Sequence, residues 1–154
     1  MGSLQQQTGS RTWQLVSEKG TQYRFTTPAI DHLDNNQPGY LWNLNLIRET
    51  QGRDSIQFTY TNGSLQQIQT TDLNTWNFTY DGSGRISALE NVIVSTSVGM
   101  QYPQTQMQFA YGASFPGTSY TQLSTVTYLQ NVAPPPYTTA QYQQAAPSVY
   151  FRYN

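Results

Sequence analysis

Two stretches of the chain alternate apolar and polar positions and then nearly repeat each other. In "IQFTYTNGSLQQI" (residues 56–68), Ile56, Phe58 and Tyr60 fall on one face of an extended segment and Gln57, Thr59 and Thr61 on the other, the period-two pattern of a half-buried strand. Asn62-Gly63 follows at once, a pair that tolerates positive φ at both centres of a tight hairpin turn. Leu65 and Ile68 then open a return strand. In "WNFTYDGSGRISAL" (76–89), Trp76, Phe78 and Tyr80 repeat the outgoing strand, and "DGSGR" replaces "TNGS" before Ile86 and Leu89. The second turn is one residue longer, and the pattern assigns Gly82 and Gly84 to absorb that residue through a bulge or a left-handed glycine.

Weaker copies flank these two. Met107, Phe109 and Tyr111 precede Leu123 and Val126, and Val149, Phe151 and Tyr153 stand near the end. Leu44 and Ile47 look like a return-strand pair, for which Tyr23 and Phe25 are the available partner. No stretch has helical periodicity. The expectation is an all-β fold, an antiparallel β-hairpin repeat array forming a single twisted or spiralling sheet. Residues 1–10 are expected to be a disordered or appended tail, and residues 11–154 a single β-repeat domain with long loops at 26–41, 90–106 and 129–148. Repeat proteins often place such insertions on a binding face.

Composition supports a folded chain. Charged residues are only 10% of the 154, but 12 Tyr, 6 Phe and 3 Trp are more aromatic surface than disordered segments carry. Thr, Tyr and Phe also suit a pleated, half-buried surface. A formal charge of −1 with 7 scattered basic residues gives no attraction to phosphate, so nucleic acid is not an expected partner. No run approaches the roughly 20 apolar residues of a membrane span, so no membrane insertion is expected. The absence of Cys removes disulfides and thiol chemistry. A Thr-, Gln- and Asn-rich, Lys-poor chain suits a secreted, extracellular or cell-surface setting, of bacterial type.

At "FTYDGSGRISAL" the aromatic-x-Tyr-Asp-x-x-Gly-Arg-hydrophobic pattern resembles the Rhs, or YD-repeat, family, and "WNLNLIRETQGRDSIQFTYTNGSLQQI" looks like the preceding repeat. The similarity is best over about residues 40–90; Tyr60-Thr61, Tyr111-Gly112 and Tyr153-Asn154 keep only the Tyr of the motif. The resemblance implies hairpins wound side by side into one spiralling sheet, as in the hollow shells of large secreted or surface-exposed proteins. The Asp-Pro self-cleavage signature of the bacterial examples does not occur in this chain. On this reading the repeat-motif residues Phe58, Tyr60, Gly63, Leu65, Ile68, Trp76, Phe78, Tyr80, Asp81, Gly84, Arg85, Ile86 and Leu89 are structural.

Candidate chemistry is sparse. Eight dispersed acidic residues and one His form no evident catalytic constellation, so the chain is not expected to be an enzyme, and no cofactor is implied. Asp54, Asp72 and Asp81 sit in turn positions, where Asp is favoured for its backbone hydrogen bond. His32 between Asp31 and Asp34 matches no established metal loop and reads as a solvated turn before Pro38-Gly39. "PPPY" at 134–137 matches a WW-domain ligand pattern but reads first as a stiff loop. Asn62-Gly63-Ser64 and Asn77-Phe78-Thr79 match the N-glycosylation pattern, although Asn62 already has a turn role. Spacer aromatics Tyr40, Trp42, Tyr102, Tyr120, Tyr137 and Tyr142 are the candidate ligand-binding residues, for glycans.

The leading expectation is a non-enzymatic structural protein: a YD-repeat-like sheet segment of a shell, or the subunit of a self-assembling surface fibre or filament. Its partners would be copies of itself through the sheet edges, or the rest of a larger repeat protein. The alternative is a carbohydrate-binding or adhesive module that uses the loop aromatics.

Overall fold

The computed structural model describes residues 2–6, 12–33, 37–94, 101–114, 121–133 and 140–151. They form an all-β antiparallel hairpin meander, as the alternation predicts. The chain divides into two compact units, Met1–Asp72 and Leu73–Asn154. The first unit contains β1 (Ser3–Gln6), β2 (Thr12–Val16), β3 (Gln22–Leu33), β4 (Gln37–Arg48), β5 (Ser55–Thr61) and β6 (Ser64–Thr70). The second contains β7 (Asn74–Tyr80), β8 (Ile86–Val94), β9 (Gln101–Ser114), β10 (Thr121–Asn131), β11 (Tyr142–Gln144) and β12 (Val149–Tyr150). Within each unit consecutive strands pair as far as β11, and β12 pairs, like β11, with β10.

The first repeat behaves as its sequence dictates. Ile56, Phe58 and Tyr60 are half-buried while Gln57, Thr59 and Thr61 are exposed. Asn62 and Gly63 both take positive φ, 51° and 82°, which gives the two-residue turn a twist that matches the flanking strands.

The return strand carries a feature that alternation alone does not show. Tyr60 lies opposite Leu65 and Phe58 opposite Ile68, but Thr59 lies opposite Gln67, so Gln66 is an extra residue in the ladder. Leu65 and Ile68 are three apart, a spacing that puts side chains on opposite faces of a regular strand. One inserted residue returns both to the face of Phe58 and Tyr60.

The same register recurs in three other hairpins. Tyr80 faces Ile86 and Phe78 faces Leu89, with Ser87 extra. Tyr111 faces Leu123 and Phe109 faces Val126, with Ser124 extra. Phe25 faces Leu44 and Tyr23 faces Ile47, with Asn45 extra, so Tyr23 and Phe25 are indeed the partners of that return strand. The bulge therefore sits in the return strand, not in the turn. Gly84 is the left-handed residue of the second turn, at φ 76°, and Gly82 does not take positive φ.

Strands also run into segments expected to be tail or loop. Ser3–Gln6 pairs with β2, placing Leu4 opposite Leu15. β3 and β4 fill most of 26–41, while β8 with β9 and β10 with β11 enter 90–106 and 129–148. Proline explains part of the difference, since it reads as a breaker in sequence but is accommodated at bulges. Pro28 follows a register shift between Thr26 and Pro28, and Pro103 adjoins the shift between Asn91 and Val92.

Burial is thin and falls on an unexpected face. Among the described residues the buried apolar side chains are Leu46, Val92 and Ala133, and Thr75 is a buried polar one. Leu46 shares the face of Gln57, its cross-strand neighbour, and Thr75 lies opposite Val92, one position from Trp76. Both sites are on the face opposite the aromatic rows. Ile93, Met107, Val149 and Phe151, which are exposed by 41, 40, 55 and 41%, fall by register and alternation on the aromatic face. That face is partly covered, by no continuous layer of buried side chains among the described residues.

Deleting Gln66 leaves Leu65 and Ile68 two apart, so both are expected to stay on the aromatic face in an unbulged strand that keeps the Tyr60–Leu65 and Phe58–Ile68 pairs, with stability changed by no more than about 1 kcal/mol. Urea unfolding of the deletion variant against Gln66→Ala, which keeps the bulge, measures this. In the same assay Gly84→Ala should cost about 1 kcal/mol for its positive φ, and Gly82→Ala, which meets nothing within 4 Å, should stay within about 0.5 kcal/mol.

Candidate functional site

The most developed polar cluster surrounds the second turn. Asp81 accepts hydrogen bonds at Oδ1 from the backbone N–H groups of Ser83 (2.9 Å) and Arg85 (3.0 Å). Its Oδ2 accepts from Arg85 Nε at 2.8 Å and lies 2.6 Å from a second guanidinium nitrogen, a two-pronged pairing that fits the planar fork of arginine. The Arg85 side chain and backbone hold the Asp81 carboxyl below its ordinary value. The contribution of this pairing is present above the unfolded carboxyl's pKa and is lost as pH falls through the lowered folded value.

Arg85 also stacks on Tyr111, its guanidinium carbon 4.3 Å from the ring centroid, and the Tyr111 hydroxyl donates to the Ile86 carbonyl at 2.8 Å. The Asp and Arg of the turn thus join the β7–β8 hairpin to β9. The signal for Tyr111 was its place as the second aromatic of a repeat; nothing local marked it as the partner of Arg85.

A turn of the same kind joins β2 to β3. Ser17 N–H donates to the Thr21 carbonyl and Gly20 N–H to the Ser17 carbonyl, while Thr21 N–H donates to Ser17 Oγ. Asp81, Gly84 and Arg85 make the equivalent three bonds. "SEKGT" and "DGSGR" share only an acceptor side chain first and a glycine fourth, which is all the geometry needs. Gly20 has φ 82°, and a Cβ there would lie 2.7 Å from Thr50 Cγ2.

The candidate ligand aromatics do not form one group. Trp42 is half-buried in β4 and meets Trp13 edge to face, with centroids 6.1 Å apart and planes at 83°, a favourable pairing for two indoles. Tyr40 is in β4, where only its backbone is described, and Tyr120 and Tyr137 lie outside the described residues. Tyr102 is half-buried in β9 of the second unit.

Tyr142, in β11, donates its hydroxyl to Glu90 Oε1 at 2.5 Å. That hydroxyl therefore ties β11 to β8. Burial, then the hydrogen bond and charge of Glu90, push the Tyr142 phenol above its ordinary value. Nearby, Asn131 Nδ2 donates to the Pro103 carbonyl at 2.7 Å, and its Oδ1 accepts from the N–H groups of Ala133 and Gln141. These bonds anchor the polar face of the second unit.

Among the described residues no group of three or more His, Cys, Asp or Glu converges. Asp34 near His32, Tyr153 at the end of the last repeat, and the 134–137 segment fall outside the described residues. Asp54 acts in its turn through its carbonyl, which accepts from Glu49 N–H, and Asp72 accepts from the Thr70 hydroxyl. The arrangement offers two means of contact: a partly covered aromatic face and strand edges. No protein-family model matches the chain, and no curated protein matches it.

Tyr142→Phe is expected to cost about 1 kcal/mol at neutral pH through loss of the hydrogen bond to Glu90. Because the folded phenol is raised, its contribution is fully present below the unfolded value of about 10 and is lost as pH rises through the folded one. Denaturation midpoints at pH 8 and pH 11 should therefore fall more steeply with pH in the wild type than in the variant.

Proposed function

We propose that the chain is a non-enzymatic structural segment of a secreted or cell-surface assembly, a hairpin array on the plan of YD-repeats. The observation that carries this reading is the identical register of four hairpins: two aromatics facing two aliphatics across one bulge. A unit repeated at that level of detail is a device for extending a sheet, since each hairpin presents the next with the same ladder and the same apolar stripe. The aromatic face supports the reading further. With Ile93, Met107, Val149 and Phe151 exposed on it, it is suited to cover by another copy or by the rest of a larger repeat protein. The Lys-poor, Cys-free, Thr- and Gln-rich composition supports the extracellular setting.

Negative-stain electron microscopy and light scattering across a concentration series test this reading. Mass that grows with concentration, through dimers to larger rings or fibres, is the expected result. A monomer at every concentration overturns self-assembly as the task.

A further inference from the structure

The last strand of the second unit is an interrupted edge. β11 and β12 both pair with β10, through Tyr142–Gln144 and Val149–Tyr150, and the stretch between them contains Pro147. Proline and a break in the strand are the usual ways of blunting an edge against unwanted pairing. On the β12 side of the break Val149, Tyr150 and Phe151 are exposed by 55, 73 and 41%.

The hydrogen-bond pattern shows which backbone groups this edge offers. Phe151 N–H donates to the Ser124 carbonyl of β10 at 2.9 Å. Along a strand successive residues point their N–H and C=O groups to opposite sides. The N–H and C=O of Tyr150 therefore point away from β10, to the open side. A strand with one outward residue at its centre is its own antiparallel partner. About a two-fold axis at Tyr150, the N–H of each copy meets the C=O of the other, and Val149 of one copy stands opposite Phe151 of the next. That pairing aligns the two aromatic faces, because Val149 and Phe151 both lie on them.

We propose that the β12 edge is a homotypic docking strand, paired antiparallel with β12 of a second copy about a two-fold axis at Tyr150. The inference rests on the self-assembling reading above and specifies its contact. Such a contact is isologous and closes on itself. A fibre or shell would alternate it with a second, different contact. The shortness of the strand makes the pair weak and concentration-dependent, below the roughly 1,200 Å² of a stable interface.

The chain has no cysteine, so Tyr150→Cys introduces a single thiol. The hydrogen-bonded pair would hold the two Cα atoms about 5.5 Å apart, within the range of a disulfide. Mild oxidation is expected to give a covalent dimer with Tyr150→Cys and none with Ile93→Cys, a thiol at another exposed position. In sedimentation velocity Tyr150→Lys and Tyr150→Glu should each weaken self-association tenfold or more, and mixing the two should restore it. Wild-type assembly that Tyr150→Lys leaves unchanged overturns the β12 contact while leaving the scaffold reading standing. A wild type that stays monomeric throughout overturns both.

Discussion

The structure depends on one constraint: a strand must keep its apolar side chains on one face although its sequence spaces them three apart. Leu65 and Ile68, Ile86 and Leu89, Leu123 and Val126, and Leu44 and Ile47 share that spacing. Without correction it would send one of each pair into the polar face. The extra residue in each return strand, Gln66, Ser87, Ser124 or Asn45, restores the aromatic-aliphatic stripe. A bulge also bends its strand and increases the local twist. Four bulges at equivalent places apply the same bend four times. Ser124 shows how closely the bulge is packed: its hydroxyl donates to the Ala110 carbonyl at 3.0 Å, and its Cβ would lie 3.0 Å from any Cβ placed at Gly112.

Around this stripe the polar groups act mainly as fasteners. Asp81 and Arg85 close the second turn and reach Tyr111. Tyr142 reaches Glu90, and Asn131 organises the backbone that leaves β10. The first joins a turn to the strand beside it and the second joins strands that are not consecutive neighbours, and all three act by satisfying backbone or charged groups rather than by burying large area. The described side chains that are most covered lie on the face opposite the aromatic rows. The aromatic surface is then the one with capacity to spare, and this links the fold to a reading based on assembly.

Much of the repeat was legible. Residues Ile56 to Thr61 alternate in burial as they alternate in polarity, Asn62-Gly63 adopts its two positive φ angles, and the separated pair Tyr23 and Phe25 meets Ile47 and Leu44. Less was legible where pairing depends on partners distant in sequence. The strands through 26–33 and 101–106 contain Pro28 and Pro103 and show no clean alternation, yet ladder hydrogen bonds form from backbone groups that every non-proline residue carries. Gly82 and Gly84 looked equivalent in sequence. Turn geometry, with Gly84 N–H bonded to the Asp81 carbonyl at 3.0 Å, requires positive φ at only one of them.

By itself the sequence determined the fold class, the hairpins, the turn residues and the membership of the apolar stripe, because period-two alternation and the φ preferences of Asn and Gly act over a few residues. Tertiary structure decided the place of the bulge, the stacking of Arg85 on Tyr111, the bond from Tyr142 to Glu90, and the exposure of the aromatic face and of the β12 edge. Those outcomes depend on which strand lies beside which and on how the ladder offsets between them, and neither is set by the local preferences of a single strand.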